Sequence, residues 1–253
     1  VRHPHNNVFL VEHGAGQTYQ NDRSLGYSNS TKGYDNVLGF ICTTESVYNS
    51  RKEFFPDTPA VLAGCPKLDQ LHLNSRPPID KTVAITFHWD CAVAAESHST
   101  FPYYQRYLPG ALRLWQDSGW KVYGHYHPLY KDILIPFWEE NGIEVIDDEL
   151  WLLANCSLLI ADNTSLLFEF MSLGKPVVFL NDPKWIFSRE KGLNYHGLRF
   201  WEATEHGMEI NKGLDLLNLD LDSIPPHDGW HPYPFTDGLA SQRAADFIVD
   251  ILS

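Results

Sequence analysis

The 253-residue chain is short of basic side chains: 19 Lys and Arg stand against 32 Asp and Glu, a formal charge of -13. Such a surface repels phosphate backbones and anionic lipid headgroups, which argues against tight duplex binding and leaves room only for a local basic cleft. Cysteine is scarce as well. The four present, Cys42, Cys65, Cys91 and Cys156, are widely spread, sit in or beside apolar runs such as Leu38-Gly39-Phe40-Ile41-Cys42, and show no zinc spacing. No apolar run approaches the length that spans a bilayer, and Val1-Arg2-His3-Pro4-His5 lacks the apolar stretch of a signal peptide. A cytoplasmic address without a transmembrane segment is therefore the expectation. Internal repeats are also lacking.

What is there is globular: 43% hydrophobic, 13% aromatic and 20% charged residues can bury a substantial core as one large domain or two modest lobes. Short apolar runs alternate with amphipathic ones, the pattern of parallel sheets covered by helices on both faces. Strands are expected at Asn7 to Glu12, Val37 to Cys42 and Pro59 to Gly64, with a helix at Thr44 to Phe55. The segment Asn74-Ser75-Arg76-Pro77-Pro78-Ile79-Asp80 reads as a linker, dividing a small amino-terminal lobe (1–75) from a larger one (80–253). Beyond it the expected order is strand Thr82 to Phe87, helix Tyr103 to Ser118, strand Trp120 to His125, helix Lys131 to Asn141 and strand Ile143 to Ile146. Helix Asp148 to Asn155, strand Ser157 to Ala161, helix Thr164 to Leu173 and strand Pro176 to Leu180 follow. Asn181 to Asp237 reads as irregular before a last helix at Ala240 to Leu252.

Four stretches carry candidate chemistry. In Leu158 to Pro176 an apolar strand enters a polar turn, Asp162-Asn163-Thr164-Ser165, that caps a helix. A helix start at the carboxyl end of a parallel strand offers backbone N–H groups and hydroxyls to a diphosphate, although many ordinary turns look the same. In Val122-Tyr123-Gly124-His125-Tyr126-His127-Pro128 the two histidines lie two apart and share one side of the chain. They suit phosphate contact or support of a leaving group; a structural pair or a zinc site is the alternative, and no further ligand stands at metal spacing. In Phe9 to Gly16 a strand runs into His13-Gly14, where glycine lets a ligand approach the backbone and His13 is a candidate base. In Asp237 to Arg243 an arginine on the first turn of the last helix is placed for a phosphate or for a nearby acid.

Taken in order, these pieces resemble the CDP-glycerol glycerophosphotransferases of teichoic-acid synthesis. His13-Gly14 matches their His-Gly turn, Gly64-Cys65-Pro66-Lys67-Leu68-Asp69 their Gly-x-Pro-x-x-Asp segment and His127-Pro128 their His-Pro pair. Asp162 to Ser165 with Phe168-Glu169-Phe170 and Lys175-Pro176 matches their Asp-x-Ser-Ser-type helix start, and Asp237 to Arg243 their ending. The resemblance implies an α/β fold of the GT-B kind, two Rossmann-like lobes with parallel sheets and a shortened amino-terminal lobe. It implies a metal-independent transferase without a cofactor, moving a glycosyl or glycerophosphoryl group from a CDP- or UDP-activated donor to a hydroxyl acceptor by direct displacement. His13 and His127 become its catalytic residues. Gly14, His88, His125, Asp162, Asn163, Thr164, Ser165, Glu169 and Arg243 become its donor contacts.

This sequence also departs from that family. Glu12 stands where an aromatic often precedes His-Gly, Ala15-Gly16-Gln17 follow where lysines are usual, Ile85-Thr86-Phe87-His88 replaces Pro-Thr-x-Arg, and His125 replaces a basic residue. Fewer permanent charges face the donor, which leaves room for a nucleotide sugar in place of CDP-glycerol. A nucleotide-sugar epimerase or hydrolase of the same fold, and a non-catalytic nucleotide-binding module, are the competing readings. A nucleic-acid acceptor is a further one, resting on the aromatic stretch Trp185 to Trp201 with Arg189, Lys191 and Arg199 and opposed by the acidic balance.

Overall fold

The computed structural model describes residues 8–12, 14–16, 36–90, 98–182 and 201–253, without the side chain of Trp201. His13, Cys91 and most of the Trp185 to Trp201 stretch lie outside the described residues.

The first sheet holds strands β1 (Val8–Val11), β2 (Val37–Cys42) and β3 (Ala60–Leu62), parallel and in that order, with α1 (Glu45–Phe54) between the last two. Thr44 starts α1 by accepting the Val47 N–H on its hydroxyl at 3.4 Å, the cap chemistry a threonine supplies. Arg51 of α1 is 1% exposed, lies over the Phe40 ring and pairs with Glu12 at 2.6 Å. The residue that departs from the family pattern before His13 is therefore one half of a buried ion pair holding the end of β1 to α1.

The second sheet is larger. Its strands are β4 (Thr82–Thr86), β5 (Lys121–Gly124), β6 (Glu144–Val145), β7 (Leu158–Ala161), β8 (Val177–Leu180) and β9 (Met208–Ile210), all parallel in the order β6-β5-β4-β7-β8-β9. Between them run α3 (Phe101–Tyr104), α4 (Leu108–Asp117), α5 (Lys131–Glu140), α6 (Glu149–Asn155), α7 (Leu166–Ser172) and α8 (Trp201–His206). Successive strand residues point to opposite faces, and each face has its own core. Val83, Ile85, Leu158 and Ile160 pack on one side with Leu112, Trp115 and Trp138. Ala84, Leu159, Ala161 and Phe179 pack on the other with Leu153, Leu167 and Phe170.

Three differences from the sequence reading have local causes. The single helix expected over Tyr103 to Ser118 is two, because Pro109, which lacks an N–H, occupies the first turn of α4 and forces a new start. The segment between Asn181 and Asp237 contains α8, the edge strand β9 and two 3-10 turns, at Gly213–Asn218 and Leu221–Ser223. A further helix, α2 (Asp69–Leu73), follows the 3-10 turn Pro66–Leu68.

The last helix, α9 (Ala240–Leu252), returns to the first sheet. Phe247 meets Phe9 edge to face, and a Cβ on Gly39 would come within 2.8 Å of its ring. The start of α9 is held by Asp69 of α2, whose carboxylate accepts the Ala240 N–H at 2.9 Å and the Ser241 N–H at 2.7 Å. Among the described residues no helix is long and apolar enough to cross a membrane.

Candidate functional site

The strand order of the larger sheet reverses direction between β4 and β7. Chains leaving the carboxyl ends of two such strands diverge and open a crevice between them, the usual ligand position of open parallel sheets. A cavity of about 420 Å³ lies there. It receives Thr86, Phe87 and His88 from the end of β4, His125, Tyr126 and His127 from the end of β5, and Asn163, Thr164 and Ser165 from the turn after β7. Residues more than 70 apart in sequence are thereby gathered in one cavity because each follows a neighbouring strand.

The histidines are held by different contacts. His125 is buried, and its Nδ1 lies 3.0 Å from the Thr86 hydroxyl. Burial lowers its pKa, which leaves the ring neutral at neutral pH. The His127 Nδ1 accepts the Leu129 N–H at 3.2 Å, so the neutral ring carries its proton on Nε2. Its pKa is lowered by burial first and then by His88 and His125. The His88 Nδ1 stands 2.9 Å from the Trp89 carbonyl oxygen, a partner that requires the proton on Nδ1. The His88 and His127 rings lie 5.2 Å apart.

The turn after β7 divides its labour. Asp162 is fully buried and points away from the cavity: its carboxylate accepts the His88 N–H at 2.6 Å, the Thr100 N–H at 2.8 Å and the Thr100 hydroxyl at 3.3 Å. Complete burial pushes its pKa up to about 6 against those hydrogen bonds. Asp162 therefore positions the His88 loop. Asn163 lines the cavity while its side-chain amide donates to the His98 carbonyl at 2.9 Å. The Thr164 oxygen accepts the Leu166 N–H at 3.4 Å, which leaves its hydroxyl proton to donate, and Ser165 lies 3.4 Å from Glu169.

The remaining wall is ionic. Lys67 pairs with Glu169 at 2.7 Å and also with Glu149. Burial pushes Glu169 up to about 7 despite the lysine. Burial also acts to lower the Lys67 pKa, but two carboxylates outweigh it and the net shift is upward. Asp147 accepts a hydrogen bond from the Tyr126 hydroxyl at 2.8 Å.

Of the residues predicted from sequence, the structure brings His88, His125, His127, Asn163, Thr164, Ser165 and Glu169 to one cavity. Gly14 lies beside it with a φ of 123°, a conformation that favours glycine, and a Cβ there would stand 3.2 Å from the Tyr233 hydroxyl. The next residue, Ala15, lines the cavity and donates its N–H to that hydroxyl at 3.3 Å. Arg243 is elsewhere: its guanidinium stacks over Phe235, donates to the Ala63 carbonyl at 3.2 Å and pairs with Asp237. Sequence reasoning missed Lys67, Tyr126, Asp147 and Glu149 as site residues. Lys67 sat within the recognised Gly64 to Asp69 segment, whereas Asp147 and Glu149 carry only their position after β6 as a signal. Among the described residues no group of three or more His, Cys, Asp or Glu is arranged to hold a metal ion.

Two parallel sheets with helices between their strands, and a crevice at the carboxyl ends of β4, β5 and β7, define the α/β GT-B class that the motif order implied. Within that class the solved wall teichoic acid polymerase TagF is similar over 87% of this chain and 60% of its own, at 18% identity and a TM-score of 0.57. The UDP-GlcNAc 2-epimerase of Neisseria meningitidis, bound to UDP-GlcNAc, is similar over 95% of this chain and 69% of its own, at 15% identity and a TM-score of 0.57. For S. aureus MnaA with UDP the shares are 97% and 68%, the identity 15% and the TM-score 0.54. No family model and no curated protein matches the sequence. The chain spans 60% of the length of the polymerase, and at these identities the likeness is one of fold.

Proposed function

We propose that the chain is a GT-B transferase that moves a glycosyl or glycerophosphoryl group from a CDP- or UDP-activated donor to a hydroxyl acceptor. The observation that carries this reading is the meeting of His88, His125 and His127 with Thr164 and Ser165 in one crevice at the reversal of strand order. A diphosphate seated there receives neutral donors: the Thr164 hydroxyl and the His127 Nε2–H. In the direct displacement, the acceptor oxygen forms the new bond as the donor's bond to its nucleotide phosphate breaks. The acceptor proton passes to His13, and the leaving charge collects on the nucleotide phosphate beside His127. Asp162 acts at one remove by holding the His88 loop. We extend the proposal to metal independence, since hydroxyl and imidazole donors are the groups offered to the leaving phosphate.

A second reading, a nucleotide-sugar epimerase, is supported by the coverage of the Neisseria enzyme and by three carboxylates, Asp147, Glu149 and Glu169, on the cavity wall. The product separates the two. Incubated with UDP- and CDP-linked donors plus hydroxyl acceptors, a transferase releases nucleotide steadily only when acceptor is supplied, and does so in the presence of a chelator. Conversion of the donor sugar without acceptor would establish the epimerase. Loss of turnover on chelation, restored by one added cation, would refute metal independence.

A further inference from the structure

A second cavity, also of about 420 Å³, lies at the amino ends of the strands of the larger sheet, opposite the crevice. It is lined where β7 and β8 begin, by Ser157, Lys175 and Pro176, and by the segments that run between the two sheets, through Arg76 on one and His231 on the other. Its ionisable lining residues are His72, Arg76, Lys175 and His231, and no Asp or Glu lines it. In a chain with 32 acidic and 19 basic residues, a cavity of this size lined only by cationic types is an electrostatic exception.

Its floor is built and buried. Lys175, 7% exposed, donates to the carbonyl oxygens of Leu153 and, at 3.2 Å, Ala154; an ammonium has three protons, so one remains. Ser172 is 2% exposed, and among the described residues its hydroxyl has no hydrogen-bond partner. The His72 Nε2 is likewise buried and without a partner among them. Buried polar atoms in native proteins are ordinarily satisfied, so two unsatisfied ones at a single cavity mark a missing partner. Burial lowers the Lys175 pKa to about 8, which leaves it mainly a cation at neutral pH. The carboxylates that act on His72 are engaged: Asp69 by the N–H groups of α9 and Asp237 by Arg243.

We infer that this cavity is a second ligand site, for a compact phosphate or phosphomonoester anion held by Lys175 and Ser172 at the floor and by Arg76 and His231 at the rim. The cavity has room beyond one phosphate for a small substituent. An anion bridging Arg76 and His231 ties together two chain segments that pass between the sheets, so its occupancy bears on how the sheets are held.

The test is isothermal titration of the full chain with inorganic phosphate and, separately, glycerol phosphate, in the presence of saturating UDP and CDP to occupy the cleft. Saturable binding of either anion is expected, and it tells a free phosphate from a monoester. Arg76→Gln and His231→Gln, both at exposed positions, should each weaken it about tenfold, the loss expected for one charge-assisted contact, while Thr164→Ala leaves it unchanged. Absence of saturable binding to the wild type, or binding indifferent to both rim substitutions, overturns the site and leaves Lys175 as a helix-capping lysine alone. Binding that appears only when nucleotide is omitted, and that Thr164→Ala then weakens, would place the anion in the cleft instead, overturning this site while leaving the transferase reading intact.

Discussion

At the scale of single residues, burial decides which groups are chemically unusual. Asp162 and Glu169 both carry carboxyls whose pKa is raised by desolvation, to about 6 and about 7. A group with a raised folded-state pKa contributes stability that is fully present below its unfolded value and is lost as the pH rises through the folded value. For Glu169 that window runs from the ordinary carboxyl value of 4.5 to about 7. Glu169→Gln has no proton to lose, so urea midpoints measured from pH 5 to pH 8 should fall less steeply with pH for the variant than for the wild type. Parallel curves would show that Glu169 is ionised throughout. The histidines show the same principle from the other side, since burial keeps His125 and His127 neutral. His127 was legible in the sequence through its His-Pro neighbour, and Asp162 through its place in the turn. The role of Asp162 was not, because a cap residue and a loop clamp have the same one-dimensional signature. Arg243 illustrates the same limit: an arginine on a first helical turn reads as well for a phosphate ligand as for the partner of a nearby acid, and only the placement of Phe235 and Asp237 shows which contacts it makes here.

At the scale of elements, the alternation of strands and helices was legible where a strand held an unbroken apolar run of three residues or longer, as in β2, β4, β7 and β8. The three-residue strand β9 has too few residues to show a period, and it owes its conformation to pairing with β8. The most informative element contact is the one between α2 and α9. The aspartate of the Gly64 to Asp69 segment resembled part of a family signature, and its carboxylate caps a helix 171 residues away in sequence. Asp69→Ala should therefore destabilise the protein by roughly 1 to 2 kcal/mol, the usual cost of a lost N-terminal cap, read as a lower urea midpoint. It should also raise amide exchange in α9 first. Uniform exchange with an unchanged midpoint would remove Asp69 from this structural role.

At the scale of the whole molecule, sequence could order the elements but not the strands. The arrangement β6-β5-β4-β7-β8-β9 depends on where the chain crosses after β6, and nothing local records that crossing. Once it is known, the site follows, because the reversal between β4 and β7 places the ends of three strands around one crevice. The return of α9 to the first sheet was equally hidden; its amphipathic pattern shows that one face is buried and not against what. The central claim is that this crevice holds a nucleotide diphosphate. It is tested most directly by thermal shift of the purified chain against CMP, CDP, UDP, GDP and ADP, with CDP-glycerol and several nucleotide sugars alongside, since a ligand of the folded state stabilises it by mass action. Selective stabilisation by one diphosphate nucleotide, reduced in His127→Ala and in Thr164→Ala, is the predicted result; no shift with any of these ligands would contradict it.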